Sequence, residues 1–362
     1  MKVMTILGTR PEIIRLSRVI PLLDQSVEHV LVHTGQNYDE RLSRLFFDEL
    51  GVRAPDESME RRAATAGAQI GQILEHSEAL LLKHRPDRLL ILGDTNSGLS
   101  AMIARRLGIA VYHMEAGNRC YDDRVPEEIN RRVIDHCSTV LLPYTQRSMA
   151  NLVREGIERH RIFVTGNPIL EVLNANQDRI DASDVLTRLG LRERQYFLVT
   201  LHRAENVDRP ERLSAMVDGL SRVADRYEQP LIVSVHPRTA DKLAAFGISP
   251  ASGRIRLLAP LGFFDFVHLE KRARCVLTDS GTVQEECCIF HVPNVTVRDV
   301  TERPETIEAG SGILSGGTGE GMLRGVSAAL AAPPEWSVPS EYLEPHVSRT
   351  VVKLLVGYRW GE

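Results

Sequence analysis

Short apolar runs alternate with amphipathic stretches along this 362-residue chain. Runs that are apolar throughout indicate strands buried on both faces, and helices between them make such strands parallel. The first series of predicted strands is 3–7, 29–33, 88–92, 111–114, 140–143 and 161–164. A second series is 196–200, 231–235, 255–258, 275–278 and 295–297. The pattern predicts an α/β protein with two doubly wound, Rossmann-like domains.

The two strand series predict domains at 1–168 and 169–344, with the seam within 167–182. A last segment, 345–362, follows a proline-rich break, and we expect its helix at 345–358 to return to the first domain. The main helices predicted in the first half are 11–22, 39–50, 97–107 and 126–136. Ligand sites in such folds lie at the carboxyl ends of the strands, which we expect here to form an active site in the interdomain cleft.

Composition and charge argue against several classes of protein. The net charge of −4 and the pI near 6.3 offer no basic field, so we expect no nucleic-acid partner. The five cysteines are scattered and form no CxxC pair, which predicts free thiols rather than disulfides or a metal site. The N-terminal apolar run is too short for a signal peptide and none approaches membrane-spanning length, so we expect a cytoplasmic protein without a membrane partner.

A small-residue turn follows the predicted strand 275–278. Ser280 and Gly281 open a helix there, and the free N–H groups at a helix N-terminus bind phosphate. Arg303, which follows the next short strand, supplies a permanent cation suited to a pyrophosphate. Glu285 and Glu286 would repel phosphate unless one is turned onto another partner, such as a ribose diol. The alternative is an ordinary capped helix start; the carboxylates and Arg303 favour a nucleotide site.

Charged residues follow nearly every predicted strand in both halves. Alone, each has a structural explanation: Asp94 as a helix cap, Glu127 as a carboxylate stabilised by a helix dipole, His236 as a loop histidine. Taken together, three carboxylates with one histidine and several arginines favour proton transfer beside an anionic leaving group. The carboxylates and the histidine are Asp94, Glu115, Glu127 and His202.

These residues fall in ordered motifs that are similar to those of the non-hydrolysing UDP-N-acetylglucosamine 2-epimerases, along essentially the whole chain. The matching motifs are Gly8-Thr-Arg-Pro-Glu12, Gly93-Asp-Thr95, Glu115-Ala-Gly117, Pro126-Glu-Glu128, Asn130-Arg131, His202-Arg203, Thr278-Asp-Ser-Gly281, Glu285-Glu286 and Thr301-Glu-Arg-Pro304. The resemblance implies the GT-B architecture, a homodimer, a UDP-sugar substrate, and neither a nicotinamide cofactor nor a metal.

The resemblance also implies a chemistry: inversion of C2 of a UDP-2-acetamido sugar by elimination and re-addition of UDP through a 2-acetamidoglucal. It assigns proton transfer to Asp94, Glu115 and Glu127, with Arg131 orienting these carboxylates and His202 stabilising the diphosphate. The substrate-binding positions expected are Arg10, Arg15, Phe266, Ser280, Gly281, Thr282, Glu286, Arg303 and His236. Phe266 has the alternative role of a core aromatic.

Several departures from the family pattern leave the substrate open. Arg15 stands where most members have lysine, and Thr282 replaces a second glycine. The loop 115–125 resembles the branch that acts on UDP-linked 6-deoxy sugars, whereas 298–306 is closer to the GlcNAc enzymes. A hydrolysing epimerase and a GT-B glycosyltransferase are further alternatives. Asn37 and residues 62–67 lack the side chains expected of an activator site, which predicts an enzyme without allosteric activation.

Overall fold

The structure is a computed structural model that describes residues 1–36, 40–59 and 65–358. The chain divides into two units. The first comprises Met1–Ala175 and Ser340–Glu362, and the second comprises Asn176–Pro339. Asn37 and residues 62–64, on which the prediction about an activator depends, lie outside the described residues.

The first unit is built on a six-stranded parallel sheet. Its strands are β1 (Lys2–Leu7), β2 (Glu28–His33), β3 (Glu57–Ser58), β4 (Arg88–Leu92), β5 (Ala110–Met114) and β6 (Val140–Leu142). Their order across the sheet is β3-β2-β1-β4-β5-β6, and Leu92 pairs with Met114 at the carboxyl ends of β4 and β5. This is the doubly wound order of a Rossmann fold, which confirms the predicted fold class.

Helices cover both faces of this sheet. They are α1 (Arg10–Leu16), α2 (Val19–Ser26), α3 (Glu40–Leu50), α4 (Ala66–His84), α5 (Ser100–Arg106), α6 (Pro126–Cys137), α7 (Gln146–Arg154) and α8 (Ile169–Ala175). Short 3-10 helices occupy Asn96–Leu99, Arg159–Arg161 and Ser340–Leu343. The single helix predicted at 11–22 is wrong, because α1 ends where the hydroxyl of Ser17 donates to the carbonyl of Ile14.

The strand predicted at 161–164 is also wrong. The chain there makes an isolated bridge between Ile162 and Leu141, and the N–H of Phe163 donates to the carbonyl of Leu141. Pro143 has no N–H to donate in return, so the ladder cannot continue along β6.

The second unit contains another six-stranded parallel sheet. Its strands are β7 (Phe197–Leu201), β8 (Leu231–Val235), β9 (Ile255–Leu258), β10 (Cys275–Thr278), β11 (Asn294–Thr296) and β12 (Gly312–Leu314). The order β12-β11-β10-β7-β8-β9 repeats that of the first unit, which confirms the second doubly wound domain. Only β12 was absent from the predicted series, because its three residues carry one glycine and little apolar length.

The helices of the second unit pack both faces of its sheet. They are α9 (Gln177–Asp181), α10 (Val185–Arg188), α11 (Ala204–Val207), α12 (Pro210–Tyr227), α13 (Pro237–Phe246), α14 (Phe263–Arg272), α15 (Gly281–Phe290), α16 (Pro304–Glu308) and α17 (Gly319–Ala329). One apolar cluster includes Val199, Leu277 and Met322, and another includes Leu198, Val276 and Cys287. Alternate strand residues therefore face opposite layers of core.

The chain returns to the first unit through α18 (Val347–Gly357), which packs against α2. The backbone N–H and hydroxyl of Ser348 donate to Glu171 on α8, and the guanidinium of Arg88 donates to the carbonyl of Leu355. These contacts place α8 and the segment from Ser340 in the first unit, so its bounds differ from the predicted 168 and 345. Within the described residues, no helix is long and apolar enough to cross a membrane.

Candidate active site

Each sheet has a point where the direction of winding reverses, and ligands of doubly wound folds bind at the carboxyl ends of the strands there. In the first sheet this point lies between β1 and β4, and in the second between β7 and β10. Polar side chains bridge the loops at both points.

At the reversal point of the first unit, a buried carboxylate joins the two loops. Glu12 accepts the backbone N–H groups of Gly8 and Thr9 at 3.0 and 2.7 Å, and the hydroxyl of Thr9 at 2.8 Å. Its other oxygen accepts the hydroxyl of Thr95, from the loop after β4, at 3.1 Å. Glu12 thus fixes the loop that carries Asp94 against the loop that carries Arg10. Glu12 lies within the Gly8-Thr-Arg-Pro-Glu12 motif but was not among the predicted site residues.

Burial raises the pKa of Glu12 to about 7, although hydrogen bonds from Thr9, Gly8 and Thr95 lower it. Because the folded protein binds this proton more tightly than the unfolded chain, the stabilisation is complete below the unfolded pKa of 4.5. It is lost as the pH rises through about 7, at a cost on the order of 3 kcal/mol.

Glu12→Gln imitates the protonated side chain, since its amide oxygen accepts and its NH₂ donates to Thr95. We expect the variant to match wild type in urea unfolding at about pH 5 and to exceed it at about pH 8. Parallel stability curves for the two proteins would contradict the raised pKa.

Asp94, directly after β4, is held by an arginine from α6. Arg131 donates from Nε and Nη2 to Oδ2 of Asp94 at 2.9 and 2.6 Å. Its Nη1 donates to Glu128 at 2.7 Å, and the amide of Asn130 donates to the carbonyl of Asp94 at 3.0 Å. The structure therefore brings Asp94 and Arg131 together, as the orienting role of the arginine requires.

Glu128 is a second residue that sequence reasoning missed. Its carboxylate is completely buried and accepts the backbone N–H groups of Cys120 and Tyr121, both at 3.0 Å, besides Arg131. It links the loop after β5 to the arginine that holds Asp94. The one sequence feature that pointed to this role of Glu128 is its position beside Glu127 in the first turn of α6.

Glu115, directly after β5, is buried and adopts a left-handed backbone conformation with φ of 64°. Its carboxylate pairs with Arg15 of α1 and accepts the amide of Asn118 at 3.3 Å. Arg15 also lies over the ring of Tyr144. The carboxylate is therefore held between a buried arginine and an amide. Non-glycine residues rarely adopt this conformation, and such strain occurs mostly at functional sites.

Two further predicted residues lie at helix starts in the first unit. Glu127 is half-buried in the first turn of α6, where the helix dipole favours a carboxylate. Arg10 begins α1, and its guanidinium lies 5.8 Å from the ring centre of Phe46.

In the second unit, a buried aspartate bridges the loops after β7 and β10. Asp279 accepts the backbone N–H groups of His202 and Arg203, both at 2.9 Å, and the amide of Asn206 at 3.1 Å. Nδ1 of His202 lies 3.2 Å from Asp279, so the carboxylate orients the ring. The ring centre of His236 lies 6.0 Å from that of His202, and Nδ1 of His236 accepts the N–H of Arg238. Asp279 lies within the Thr278-Asp-Ser-Gly281 motif but was not among the predicted site residues.

The predicted phosphate turn has the expected backbone. Ser280 is the N-cap of α15 with an extended conformation, and Gly281 and Thr282 are the first two helical residues. A Cβ on Gly281 would lie 2.8 Å from a carboxylate oxygen of Glu302 and 3.5 Å from the guanidinium of Arg303. The helix N-terminus therefore lies close to Arg303, as a pyrophosphate site requires.

The paired carboxylates of α15 point to different partners. Glu285, which is completely buried, pairs with Nε of Arg303. Glu286 hydrogen-bonds to Glu270 on α14, and burial, followed by the charge of Glu286, raises the pKa of Glu270 well above its usual range.

Phe266 lies on α14 and packs against the apolar cluster that includes Leu198 and Val276. This position favours its alternative role as a core aromatic. Among the residues described, no three His, Cys, Asp or Glu side chains form a group that could hold a metal ion.

Comparison with known proteins agrees with this geometry. The sequence model of a family described as UDP-N-acetylglucosamine 2-epimerase matches residues 23–356. The UDP-N-acetylglucosamine 2-epimerase of Methanocaldococcus jannaschii is 41% identical over 94% of this chain and 95% of its own. The crystal structure of the M. jannaschii enzyme in complex with UDP-GlcNAc and UDP superposes with a TM-score of 0.93 and 40% identity, covering 98% of this chain and 99% of that one.

Two more distant similarities concern substrate and fold. The UDP-2,3-diacetamido-2,3-dideoxy-D-glucuronate 2-epimerase of Pseudomonas aeruginosa is 35% identical over 91% of this chain and 92% of its own. The glycotransferase of kitacinnamycin is 12% identical, with a TM-score of 0.58 over 98% of this chain and 97% of its own, which shows a shared fold alone.

Proposed function

The chain belongs to the UDP-N-acetylglucosamine 2-epimerase family, and we propose that it interconverts UDP-GlcNAc and UDP-ManNAc without hydrolysis. One observation carries this proposal. The ends of the adjacent strands β4 and β5 each present a carboxylate paired with an arginine, Asp94 with Arg131 and Glu115 with Arg15. Carboxylates held in one orientation are groups that remove and return a proton.

In the proposed reaction, a base of the first unit removes the C2 proton as the bond from C1 to the UDP oxygen breaks. The electron pair of the C2–H bond forms the double bond of 2-acetamidoglucal, and UDP leaves as the anion. A proton then returns to C2 from the opposite face, and UDP re-adds at C1. Asp94, Glu115 and Glu127 carry the proton traffic, since two opposite faces require more than one acid–base group.

The second unit supplies the groups proposed to hold UDP. Ser280 and Gly281 offer the N-terminus of α15 to the diphosphate, and Arg303 adds a cation beside it. Glu286 is the proposed acceptor for the ribose hydroxyls, because a carboxylate accepts hydrogen bonds from a diol. Thr282 is also proposed to bind the phosphates, and His236 is proposed to bind substrate beside His202. Arg10 and Arg15 of the first unit are proposed to contribute positive charge.

The choice of UDP-GlcNAc rests on the M. jannaschii relative, which is named for that substrate. The P. aeruginosa relative is named for another UDP-2-acetamido sugar, and the loop 115–125 resembles a branch acting on 6-deoxy sugars. Every candidate shares the UDP and the 2-acetamido group, so the proposed chemistry at C2 is the same for all of them.

Incubation with UDP-GlcNAc in heavy water, followed by NMR, tests this function. We expect deuterium at C2 of both UDP-GlcNAc and UDP-ManNAc, with the UDP-sugars intact. Free N-acetylmannosamine with UDP would indicate a hydrolysing epimerase, and absence of exchange would favour a glycosyltransferase. Parallel incubation with a 6-deoxy UDP-acetamido sugar decides the substrate through the ratio of kcat/KM values.

We also expect a homodimer in the cytoplasm. The resemblance supports the dimer, and the five free cysteines support a reducing compartment. Sedimentation equilibrium at micromolar concentration measures the assembly; a mass near 40.5 kDa would identify a monomer instead.

His202→Asn is expected to slow departure of UDP and exchange at C2 together by about 10²-fold, because both bonds break in the step in which the ring stabilises the leaving diphosphate. Asp279 retains its backbone donors in this variant, so the loop stays ordered. Deuterium exchange and glucal release are measured in the same sample. Loss of exchange with normal glucal release would contradict this role.

A further inference from the structure

His113 on β5 is a buried side chain that the proposed mechanism does not use. Its Nε2 lies 2.9 Å from the carbonyl oxygen of Gly93, in the turn after β4. Its Nδ1 lies 2.8 Å from Oδ1 of Asp135 on α6, and both side chains are at most 1% exposed. The other oxygen of Asp135 accepts the N–H of Gly117, in the turn after β5, at 3.1 Å. One network therefore joins the two turns that carry Asp94 and Glu115.

Both ring nitrogens of His113 face groups that only accept hydrogen bonds. A carbonyl oxygen has no proton to donate, and neither has an ionised carboxylate. Burial alone would raise the pKa of Asp135, but His113 and Arg119 hold that pKa below its usual range, so Asp135 is ionised. The ring of His113 therefore lies between two acceptors and ties α6 to the turn after β4.

Asp135 has a second support from Arg119. The guanidinium of Arg119 lies 2.8 Å from Asp135 and donates to Glu155 at 2.8 and 2.6 Å. Asp135 is therefore held by His113 on one side and by Arg119 on the other, and breaking such a buried ionic contact is strongly destabilising.

The turn after β5 needs such a support because it contains an unfavourable backbone conformation at Glu115. Gly93 and Gly117 have φ of 74° and 78°, and Glu115 has φ of 64° without being glycine. A Cβ on Gly117 would lie 2.3 Å from the carbonyl oxygen of Ser148, so that turn is also tightly packed. Strained conformations persist only where surrounding contacts determine them.

From this arrangement we propose that His113 and Asp135 are positioning residues, which hold Asp94 and Glu115 at the geometry needed for proton transfer at C2. The proposal rests on the proposed function, because it names what aligns the acid–base groups. It assigns no contact with substrate to either side chain.

The kinetic test compares His113→Gln and Asp135→Asn with wild type. A glutamine at position 113 cannot reach both the carbonyl of Gly93 and Asp135 as the ring does. An asparagine at position 135 has only one acceptor oxygen, so its NH₂ faces a group that itself donates. We expect kcat for epimerisation to fall about 10- to 100-fold, as for misplaced catalytic groups, with the Kd for UDP changed less than about twofold. An unchanged kcat in either folded variant would overturn the proposal.

The matched control is His29→Gln. His29 is another buried histidine of the same sheet, 2.6 Å from Asp24 and 2.8 Å from Thr5, but it lies near the amino end of β2. This variant loses a comparable polar contact, and we expect its kcat to stay within about twofold of wild type. A similar loss of kcat in the control would attribute the effect to general destabilisation and overturn the proposal.

The position of the two turns is read without reference to activity. The backbone ¹H–¹⁵N signals of Gly93 and Gly117 report on the turns that the network joins. We expect these signals to shift in both His113→Gln and Asp135→Asn and to stay in place in His29→Gln. Unshifted signals would overturn the proposal even if the enzyme is active, whereas shifted signals together with an inactive wild type would contradict only the proposed function.

Discussion

Asp94→Asn, Glu115→Gln and Glu127→Gln should each lower turnover by about 10²-fold or more while UDP affinity stays nearly unchanged. An amide keeps the size of the side chain but cannot accept and return a proton near neutral pH. The proposed UDP ligands of the second unit are not altered by these changes. Initial rates with UDP-GlcNAc and calorimetry with UDP measure the two quantities separately.

Asp24→Asn provides a matched control for the first of these variants. Asp24 accepts from Nε of Arg53, with both oxygens at 3.0 Å, and so resembles Asp94 with Arg131. It contacts His29 near the amino end of β2, away from the proposed chemistry. We expect normal turnover in this control, and near-normal turnover in all three site variants would remove those carboxylates from the mechanism.

The three site variants should differ in stability. Glu115→Gln leaves the buried guanidinium of Arg15 without its carboxylate, and breaking a buried ion pair costs about 3–5 kcal/mol. Glu127 is half-buried at a helix start, so its amide should cost less than about 1 kcal/mol. Glu127→Gln is therefore the variant in which a loss of turnover is least affected by stability.

The fold was largely predictable because buried parallel strands leave a strong apolar signal. Ten of the twelve strands coincide with predicted runs, and the missing ones, β3 and β12, have two and three residues. The failures have local causes: Pro143 ends the pairing expected at 161–164, and Ser17 ends α1 through its side-chain hydrogen bond. Such details depend on individual hydrogen bonds that periodicity does not encode.

The site was predictable as a set of strand ends but not as a set of pairs. Position after a strand identified Asp94, Glu115 and His202. The partner of each comes from distant sequence: 37 residues separate Asp94 from Arg131, and 100 separate Arg15 from Glu115. Fully buried carboxylates such as Asp279 were missed because their donors are backbone N–H groups, which no residue pattern marks.

Arg303→Met should combine a large loss of stability with a loss of UDP affinity. Arg303 is 3% exposed and pairs with Glu285, which is completely buried. Without the guanidinium, the buried carboxylate of Glu285 loses its ion pair with Arg303, and breaking one side of a buried ion pair should lower the free energy of unfolding by about 3–5 kcal/mol. The lost cation at the start of α15 should also weaken UDP binding by about 10- to 100-fold, the range for a charged hydrogen bond. Urea unfolding and calorimetry with UDP measure the two effects.

The double variant Glu285→Met/Arg303→Met separates these effects. Apolar side chains of similar volume can replace a buried ion pair with little loss, so stability should return to within about 1–2 kcal/mol of wild type. UDP affinity should stay low, because the cation is absent in both variants. Ser280→Ala is the companion change, and removing its neutral hydroxyl should cost only about 1 kcal/mol of UDP binding. If the double variant binds UDP like wild type, Arg303 serves only to neutralise Glu285, and the diphosphate is held by the helix N-terminus without it.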